Sequence, residues 1–109
     1  MQGSCHCGAV ELTLAAAPTE LSECNCSLCR RVGGLWHYCL RDEASVVGPC
    51  DGYVQGDRTM TTWRCKACGC VTHWTALDPD YARMGINIRM FDPGLWRDLP
   101  RRQIDGASY

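Results

Sequence analysis

The sequence predicts an all-β domain of antiparallel strands with little helix. Short segments in which apolar and polar residues alternate are separated by turn-forming residues at regular intervals, a pattern typical of this class. No helical periodicity extends over three turns. A chain of 109 residues has the length of one domain, and we expect a single domain that covers residues 1–109.

The predicted elements follow from local patterns in the order of the chain. Residues 10–14 alternate between apolar and polar side chains, as a half-buried strand does, and Pro18 ends the run after three alanines. Residues 27–32 predict one helical turn before Gly33 and Gly34. The remaining predicted strands span residues 35–40, 44–47, 59–64, 71–76 and 84–91. After the turn at residues 92–94 the chain is polar, and we expect a loosely ordered tail.

Composition and charge exclude several classes of protein. A formal net charge of −1 and a pI near 6.2 exclude a generally basic nucleic-acid-binding protein. Four Trp and four Tyr among alternating segments indicate a folded chain. No apolar segment approaches the ~18 residues of a membrane span. The first residues lack the basic and apolar regions of a secretory signal, so we expect a cytoplasmic protein with no membrane or nucleic-acid partner.

The cysteines indicate metal binding rather than a disulfide framework. There are ten of them, and most lie in tight clusters, whereas a disulfide usually joins distant segments. A cytoplasmic location would also keep the thiols reduced. Gly8 and Gly69, which directly follow two of the clusters, permit tight turns in which backbone N–H groups face thiolate sulfur. The clusters are Cys5-x-Cys7, Cys24-x-Cys26-x-x-Cys29 and Cys65-x-x-Cys68.

Two well-separated cysteine pairs supply the four ligands of a closed zinc site. Cys5, Cys7, Cys65 and Cys68 would form this structural site and tie the first strand to the later part of the sheet. Zinc contributes ~10–16 kcal/mol to the folding of small zinc peptides, which is comparable to the whole stability of a domain. We therefore expect this site to compensate for the small core of a short chain.

The middle cluster offers three thiols, and its spacing leaves two interpretations open. Cys24, Cys26 and Cys29 with an open fourth position would form a catalytic-type zinc site. A fourth sulfur would instead close the site. The cysteines available for that are Cys39, Cys50 and Cys70. Arg30 and Arg31 follow this cluster, where they either compensate the charge of the thiolates or also attract an anionic substrate.

Four segments together resemble one protein family. They are Gly3-Ser4-Cys5-His6-Cys7-Gly8-Ala9-Val10, Cys24-Asn25-Cys26-Ser27-Leu28-Cys29-Arg30-Arg31, Cys65-x-x-Cys68-Gly69 and Gly85-Ile86-Asn87-Ile88-Arg89. This set is similar to the glutathione-dependent formaldehyde-activating enzymes and the related centromere protein V domain. The resemblance implies a β-tent-like fold of coiled antiparallel sheets organised around two zinc ions per chain. The implied ligands are Cys5, Cys7, Cys65 and Cys68 for a structural zinc, and Cys24, Cys26 and Cys29 for a catalytic-type zinc.

The resemblance also implies an activity. Members of the family condense formaldehyde with glutathione to S-(hydroxymethyl)glutathione, formally a carbon–sulfur lyase reaction in reverse. We therefore expect a small thiol such as glutathione and an aldehyde as partners. His37 and His73 are candidates for the general base, although a histidine on a strand is more often structural. Asn87 and Arg89 would bind either substrate or a zinc loop, and we expect Cys70 to pack as a small apolar side chain.

Two other functions are open at the level of sequence. One is a non-enzymatic zinc module that binds a protein partner, as the centromere protein V resemblance allows. The other is a thiol-based redox or zinc sensor. A solvent-open three-sulfur site beside a pocket would favour the enzyme. A closed fourth sulfur with an exposed apolar patch would favour the module, and reversible zinc loss on mild oxidation would favour the sensor.

Overall fold

A computed structural model describes residues 1–108. Within them, ten strands form two separate sheets. The strands are β1 (Gln2–Ser4), β2 (Glu11–Leu14), β3 (Leu21–Cys24), β4 (Trp36–Leu40), β5 (Ala44–Val47), β6 (Cys50–Val54), β7 (Met60–Cys65), β8 (Val71–Ala76), β9 (Arg83–Asn87) and β10 (Arg101–Ile104). The α-helices are α1 (Cys29–Val32) and α2 (Pro93–Trp96). The all-β class is confirmed. No helix within residues 1–108 has the length and apolar character that crossing a membrane requires.

The smaller sheet contains the N-terminal strands. Its order is β1-β2-β5, and both pairs are antiparallel. In β2, Leu12 and Leu14 are buried while Glu11 and Thr13 are exposed, so the alternation predicted for this segment is confirmed. Because β1 ends at Ser4, this sheet positions the first cysteine of the chain directly at its edge.

The larger sheet contains the other seven strands in the order β10-β3-β4-β9-β8-β7-β6. Its neighbouring strands are antiparallel except β10 and β3, which pair in parallel, with Arg101 opposite Leu21 and Ile104 opposite Cys24. This parallel pair departs from the expectation of purely antiparallel strands. In this sheet, Cys24 is the last residue of β3 and Cys65 is the last residue of β7.

Two sequence predictions about the C-terminal part of the chain are wrong. The strand predicted over residues 84–91 ends at Asn87, and Ile88–Met90 forms a 3₁₀ turn. The side-chain Oδ1 of Asn87 accepts a hydrogen bond from the backbone N–H of Arg89 at 3.3 Å, which caps this turn and ends the strand. The tail expected to be loosely ordered forms α2 and β10, and Trp96 is buried.

The core combines residues from both sheets. Val10, Leu12, Leu21 and Ile86 are at most 1% exposed and belong to one hydrophobic cluster. Cys5 and Cys65 are members of the same cluster, at 2% and 1% exposure. Two of the four cysteines predicted to form the closed zinc site are therefore part of the hydrophobic core.

Candidate functional site

Four thiols from the two sheets lie together; we call Cys5, Cys7, Cys65 and Cys68 the four-thiol cluster. Their sulfur atoms are all within 4.8 Å of one another. The Sγ atoms of Cys5 and Cys7 are 3.7 Å apart, and those of Cys7 and Cys65 are 3.6 Å apart. Four sulfurs arranged tetrahedrally about 2.3 Å from a zinc ion would be about 3.8 Å from one another. The cluster therefore has the dimensions of a tetrahedral zinc site.

Each half of the four-thiol cluster contains a tight turn with a left-handed glycine. Gly8 and Gly69 have φ angles of +82° and +79°, in the left-handed region that glycine adopts without steric cost. The backbone N–H of Gly8 donates to the carbonyl of Cys5 at 3.1 Å, and that of Gly69 donates to the carbonyl of Cys65 at 3.0 Å. The tight turns expected at these glycines are confirmed.

Backbone N–H groups also face the sulfur atoms of this cluster. The N–H of Cys68 donates to the Sγ of Cys65 at 3.5 Å. The backbone N–H of Cys70 makes the largest contribution to lowering the pKa of Cys68 to about 5, because a hydrogen bond to a thiolate stabilises its charged form. The local backbone therefore favours the ionised form of Cys68, which is the form that metal binding requires.

Three further cysteines lie outside the converging thiols. Cys39 is buried in the core, and Cys50 and Cys70 pack against the core as partly buried side chains. None of the three joins a set of converging ligand atoms. The expectation that Cys70 packs as a small apolar residue agrees with this position. All ten cysteines, which lie within the described residues, are free thiols.

Cys24, Cys26 and Cys29 form a second and more exposed set, the three-thiol cluster. Cys24 is the last residue of β3 and Cys29 is the first residue of α1, so the turn between strand and helix brings the sulfurs together. The sulfur atoms lie within 4.8 Å of one another, and no fourth His, Cys, Asp or Glu of residues 1–108 joins them. Of the two arrangements left open by the spacing, the structure shows three protein thiols.

The turn of the three-thiol cluster resembles the turn between Cys65 and Cys68. The backbone N–H of Cys29 donates to the Sγ of Cys26 at 3.3 Å. Burial, followed by the interaction with Cys26 and the charge of Cys24, raises the pKa of the Cys29 thiol. Three thiolates this close repel one another, and a divalent cation bound among them would offset the repulsion.

A buried indole lies beside the three-thiol cluster. Trp36 on β4 is 2% exposed, and its Nε1–H has no hydrogen-bond partner among the described residues. The indole lies near the Cys29 sulfur and lowers the pKa of that thiol. Burial and the neighbouring thiols raise the same pKa by more. A buried N–H without a partner costs about 1–3 kcal/mol. The Nε1–H of Trp36 therefore favours a negatively charged Cys29 sulfur as its hydrogen-bond acceptor.

A C-terminal segment packs against one side of the three-thiol cluster. The Nδ2 of Asn25 donates to Oδ1 of Asp105 at 2.9 Å, and its Oδ1 accepts the backbone N–H of Ala107 at 2.9 Å. Between these contacts lies Gly106, where a Cβ atom would be 2.5 Å from the Sγ of Cys24. Sequence reasoning missed this contact because it treated the tail as loosely ordered.

The two candidate histidines differ in their surroundings. His73 on β8 is buried, its Nδ1 lies 2.8 Å from Oγ1 of Thr72, and its ring stacks on Trp63. Burial lowers the pKa of His73 to about 4, which keeps the ring neutral near pH 7. Burial also lowers the pKa of the half-buried His37. His73 therefore has the contacts of a structural histidine.

Asn87 and Arg89 hold backbone segments in place. The side chain of Asn87 accepts the N–H of Leu35 at 3.3 Å and donates to the carbonyl of Val71 at 2.8 Å. The Nε of Arg89 donates to the carbonyl of Gly33 at 3.1 Å. Gly33 directly follows α1, so Arg89 supports the loop of the three-thiol cluster. Of the two roles expected from sequence, the structure shows the contact with a thiol-bearing loop.

The donor sets fit zinc. Thiolates are soft ligands that favour zinc or iron–sulfur clusters, and the cysteine spacings match neither common ferredoxin pattern. The sulfur separations in the four-thiol cluster match tetrahedral zinc. Fold and sites together define a small all-β protein with two cysteine clusters that can hold metal ions, one of four thiols and one of three.

The chain belongs to the family of glutathione-dependent formaldehyde-activating enzymes, whose family model matches residues 1–104. The resemblance drawn from its motifs is therefore confirmed. Among solved structures, the crystal structure of a Rhodobacter sphaeroides protein is similar over 94% of this chain and 100% of its own, with 30% sequence identity and a TM-score of 0.75. No curated protein matches the chain.

Proposed function

We propose that this protein is a zinc-dependent enzyme of the carbon–sulfur lyase type that acts on the adduct of a small thiol and an aldehyde. Membership of the family supports a function like that of the formaldehyde-activating enzymes. The observation that carries the proposal is the three-thiol cluster, in which no fourth protein ligand from residues 1–108 joins Cys24, Cys26 and Cys29. A zinc site with three protein ligands has a place for substrate, whereas a four-thiol site is closed.

The two clusters have separate roles in this proposal, with one zinc ion in each. The four-thiol cluster would hold a structural zinc, and the three-thiol cluster would hold a catalytic-type zinc. When bound with an open position, zinc supplies a Lewis acid that lowers the pKa of a thiol ligand or polarises an aldehyde oxygen.

The proposed reaction joins the thiol sulfur to the aldehyde carbon. With glutathione and formaldehyde, the S–H bond breaks and an S–C bond forms. The π electron pair of the carbonyl moves to oxygen, which takes up the proton and becomes the hydroxyl of S-(hydroxymethyl)glutathione. The reverse steps cleave the adduct, and neither direction requires an oxidant or a reductant.

Residues around the three-thiol cluster stabilise its charge and limit access to it. The Nε1–H of Trp36 is available to the Cys29 thiolate, and Gly106 closes the side next to Cys24. Arg30 and Arg31 place two cations on the exposed α1, and Nη1 of Arg31 donates to the carbonyl of Ser27 at 2.7 Å. These cations offset part of the negative charge of three thiolates.

Exchange NMR with isotopically labelled formaldehyde tests the proposal. The zinc-loaded protein should speed exchange between free formaldehyde and S-(hydroxymethyl)glutathione above the uncatalysed rate. Cys26→Ser should return the exchange to that rate, whereas Ser27→Ala, a change in the same loop that removes no thiol, should retain the catalysed rate. Wild-type protein with two zinc ions that leaves exchange at the uncatalysed rate would contradict the proposal and favour a protein-binding module or a sensor.

A further inference from the structure

A fifth thiol lies beside the four-thiol cluster. Cys50 on β6 is directly opposite Cys65 on β7 in the antiparallel register. Residues that face each other in such a pair direct their side chains to the same face of the sheet. Cys50 packs, partly buried, against the hydrophobic cluster that contains Cys65, but it does not join the four converging sulfur atoms. The Cys50 thiol therefore has no part in the function proposed above.

The hydrogen bonds of Cys65 show how closely it faces Cys50. The backbone N–H of Cys65 donates to the carbonyl of Cys70 at 2.9 Å, and its carbonyl accepts the N–H of Gly69 at 3.0 Å. Both backbone groups of Cys65 are thus engaged on the side away from β6. Cys50 and Cys65 therefore form a non-hydrogen-bonded pair, the class of antiparallel pair in which the two Cα atoms are only about 4.5 Å apart and the side chains are closest.

This spacing suits a disulfide. Residues joined by a disulfide usually have Cα atoms about 4.4–6.8 Å apart, so the pair lies at the short end of the range and the bond can form without a change of strand register. A disulfide at this end of the range is strained, and strained disulfides are reduced more easily than relaxed ones. Cys65 can therefore contribute its sulfur either to the four-thiol cluster or to a reversible bond with Cys50.

We propose that Cys50 and Cys65 are a redox-active pair, and that their oxidation to a disulfide takes one ligand away from the four-thiol cluster and releases the metal ion held there. The release of metal rests on the structural zinc of the proposed function, whereas formation of the disulfide does not. The four-thiol cluster then has a second role, because the same sulfur that supports the fold also responds to an oxidant.

The oxidant in this reaction is a peroxide. The sulfur of one thiol takes an oxygen atom from hydrogen peroxide, whose O–O bond breaks, and one water leaves while a sulfenic acid remains. The sulfur of the other cysteine attacks the sulfenic sulfur, so that the S–S bond forms, the S–O bond breaks and the oxygen leaves as a second water. The two thiols lose two electrons and two protons in total, and one peroxide becomes two waters. Where Cys65 is a thiolate on zinc, the zinc departs as Zn²⁺ and the second proton comes from solvent.

Treatment of the zinc-loaded full chain with hydrogen peroxide tests the pair with two readouts. Mass spectrometry of peptides from oxidised wild-type protein should find the peptides of Cys50 and Cys65 linked, and a zinc-sensitive dye should detect zinc released over the same time course. Cys50→Ser should abolish the linked peptide and slow zinc release several-fold. Cys70→Ser removes a neighbouring thiol that is not opposite Cys65, and it should retain both results. Dithiothreitol should remove the link and allow zinc to bind again.

The two readouts separate failure of the redox pair from failure of the proposed function. Oxidised wild-type protein without the linked peptide, or with Cys65 linked to a different cysteine, would overturn the pair and leave the function standing. A linked peptide with all zinc retained would overturn the release of metal. A linked peptide in wild-type protein that binds no zinc before oxidation would support the disulfide and count against the structural zinc of the proposed function.

Discussion

The two thiol clusters use one residue type in different surroundings. In the four-thiol cluster Cys5 and Cys65 are 2% and 1% exposed and belong to the hydrophobic core. In the three-thiol cluster every cysteine is half-buried, and no fourth ligand from residues 1–108 completes the set. Under the proposed function, the number of converging thiols and their burial, rather than the thiols themselves, would distinguish a site that supports the fold from a site that accepts a substrate.

The clusters also differ in how much of the chain they connect. Cys7 and Cys65 are 58 residues apart in sequence, and the four-thiol cluster joins β1 of the smaller sheet to β7 of the larger one. The three-thiol cluster is local, because it joins the end of β3 to the start of α1. Closing a long loop restricts the unfolded chain more than closing a short one. Loss of the two clusters should therefore have unequal effects on stability.

Removal of a thiol from the four-thiol cluster should have the largest effect. Cys65→Ser takes away a ligand of the core-embedded site, and structural zinc contributes ~10–16 kcal/mol, as much as the stability of a whole domain. We expect loss of the cooperative thermal transition in circular dichroism. Cys70→Ser, one turn away and outside the ligand set, is the matched control and should retain the transition. A folded Cys65→Ser variant with wild-type melting would remove the distinction between the clusters.

The corresponding change in the three-thiol cluster should spare the fold. Cys26→Ser leaves the four-thiol cluster and the strand pairing intact, so the thermal transition should persist. Elemental analysis should find one zinc fewer per chain than in wild-type protein. Ser27→Ala is the control and should keep the wild-type zinc content. Unfolding of Cys26→Ser as complete as that of Cys65→Ser would show that both clusters are structural.

Trp36→Phe should act on one cluster only. It keeps an aromatic ring but removes the N–H that lies beside Cys29, and loss of such a contact to a metal ligand typically lowers metal affinity by about 10–100-fold. Chelator competition should show weaker binding at the three-thiol cluster and unchanged binding at the other.

The control for Trp36 is Trp96→Phe, which removes a buried indole N–H that donates to the carbonyl of Phe91 at 3.0 Å. This change should lower the free energy of unfolding by about 1 kcal/mol without weakening zinc binding at the three-thiol cluster. Equal zinc affinity in Trp36→Phe and wild-type protein would mean that the indole has no influence on the site.

The smallest effect is expected at the segment that packs on the three-thiol cluster. Asn25→Ala removes the hydrogen bonds to Asp105 and Ala107 that hold Gly106 against Cys24. Zinc should then leave the three-thiol cluster a few-fold faster when a chelator is added, while release from the four-thiol cluster should not change. Gln103→Ala removes an exposed contact from β10 to Glu23 on β3 and should not alter the rate. An unchanged rate in Asn25→Ala would show that the segment does not limit access.

Local chemistry explains which parts of this molecule the sequence predicts well. Both thiol sets are clustered along the chain, and glycine follows two of the pairs, so their convergence can be inferred from spacing. Strands with clear alternation, such as β2, were also predicted. In contrast, β3 has the same length of four residues, but its sequence Leu-Ser-Glu-Cys does not alternate between apolar and polar side chains, so no local pattern indicates a strand.

Long-range contacts explain the parts that the sequence could not predict. β10 contains Arg101, Arg102 and Gln103, and this polar sequence has no pattern typical of a strand. The segment is a strand because it pairs with β3, which is distant in sequence. The position of Cys50 opposite Cys65 depends on the register of β6 and β7, which local patterns do not encode. At the end of β9, the side chain of Asn87 accepts the backbone N–H of Leu35 and donates to the carbonyl of Val71, and both partners are distant in sequence.

X-ray absorption at the zinc edge of the native protein tests most directly whether the two clusters bind zinc with different numbers of sulfur ligands. With two zinc ions per chain, one held by four sulfurs and one by three sulfurs and a lighter atom, the spectrum should average about 3.5 sulfur ligands per zinc at about 2.3 Å. An average of four sulfurs per zinc, or a metal-free protein with cysteines joined to each other, would contradict this account.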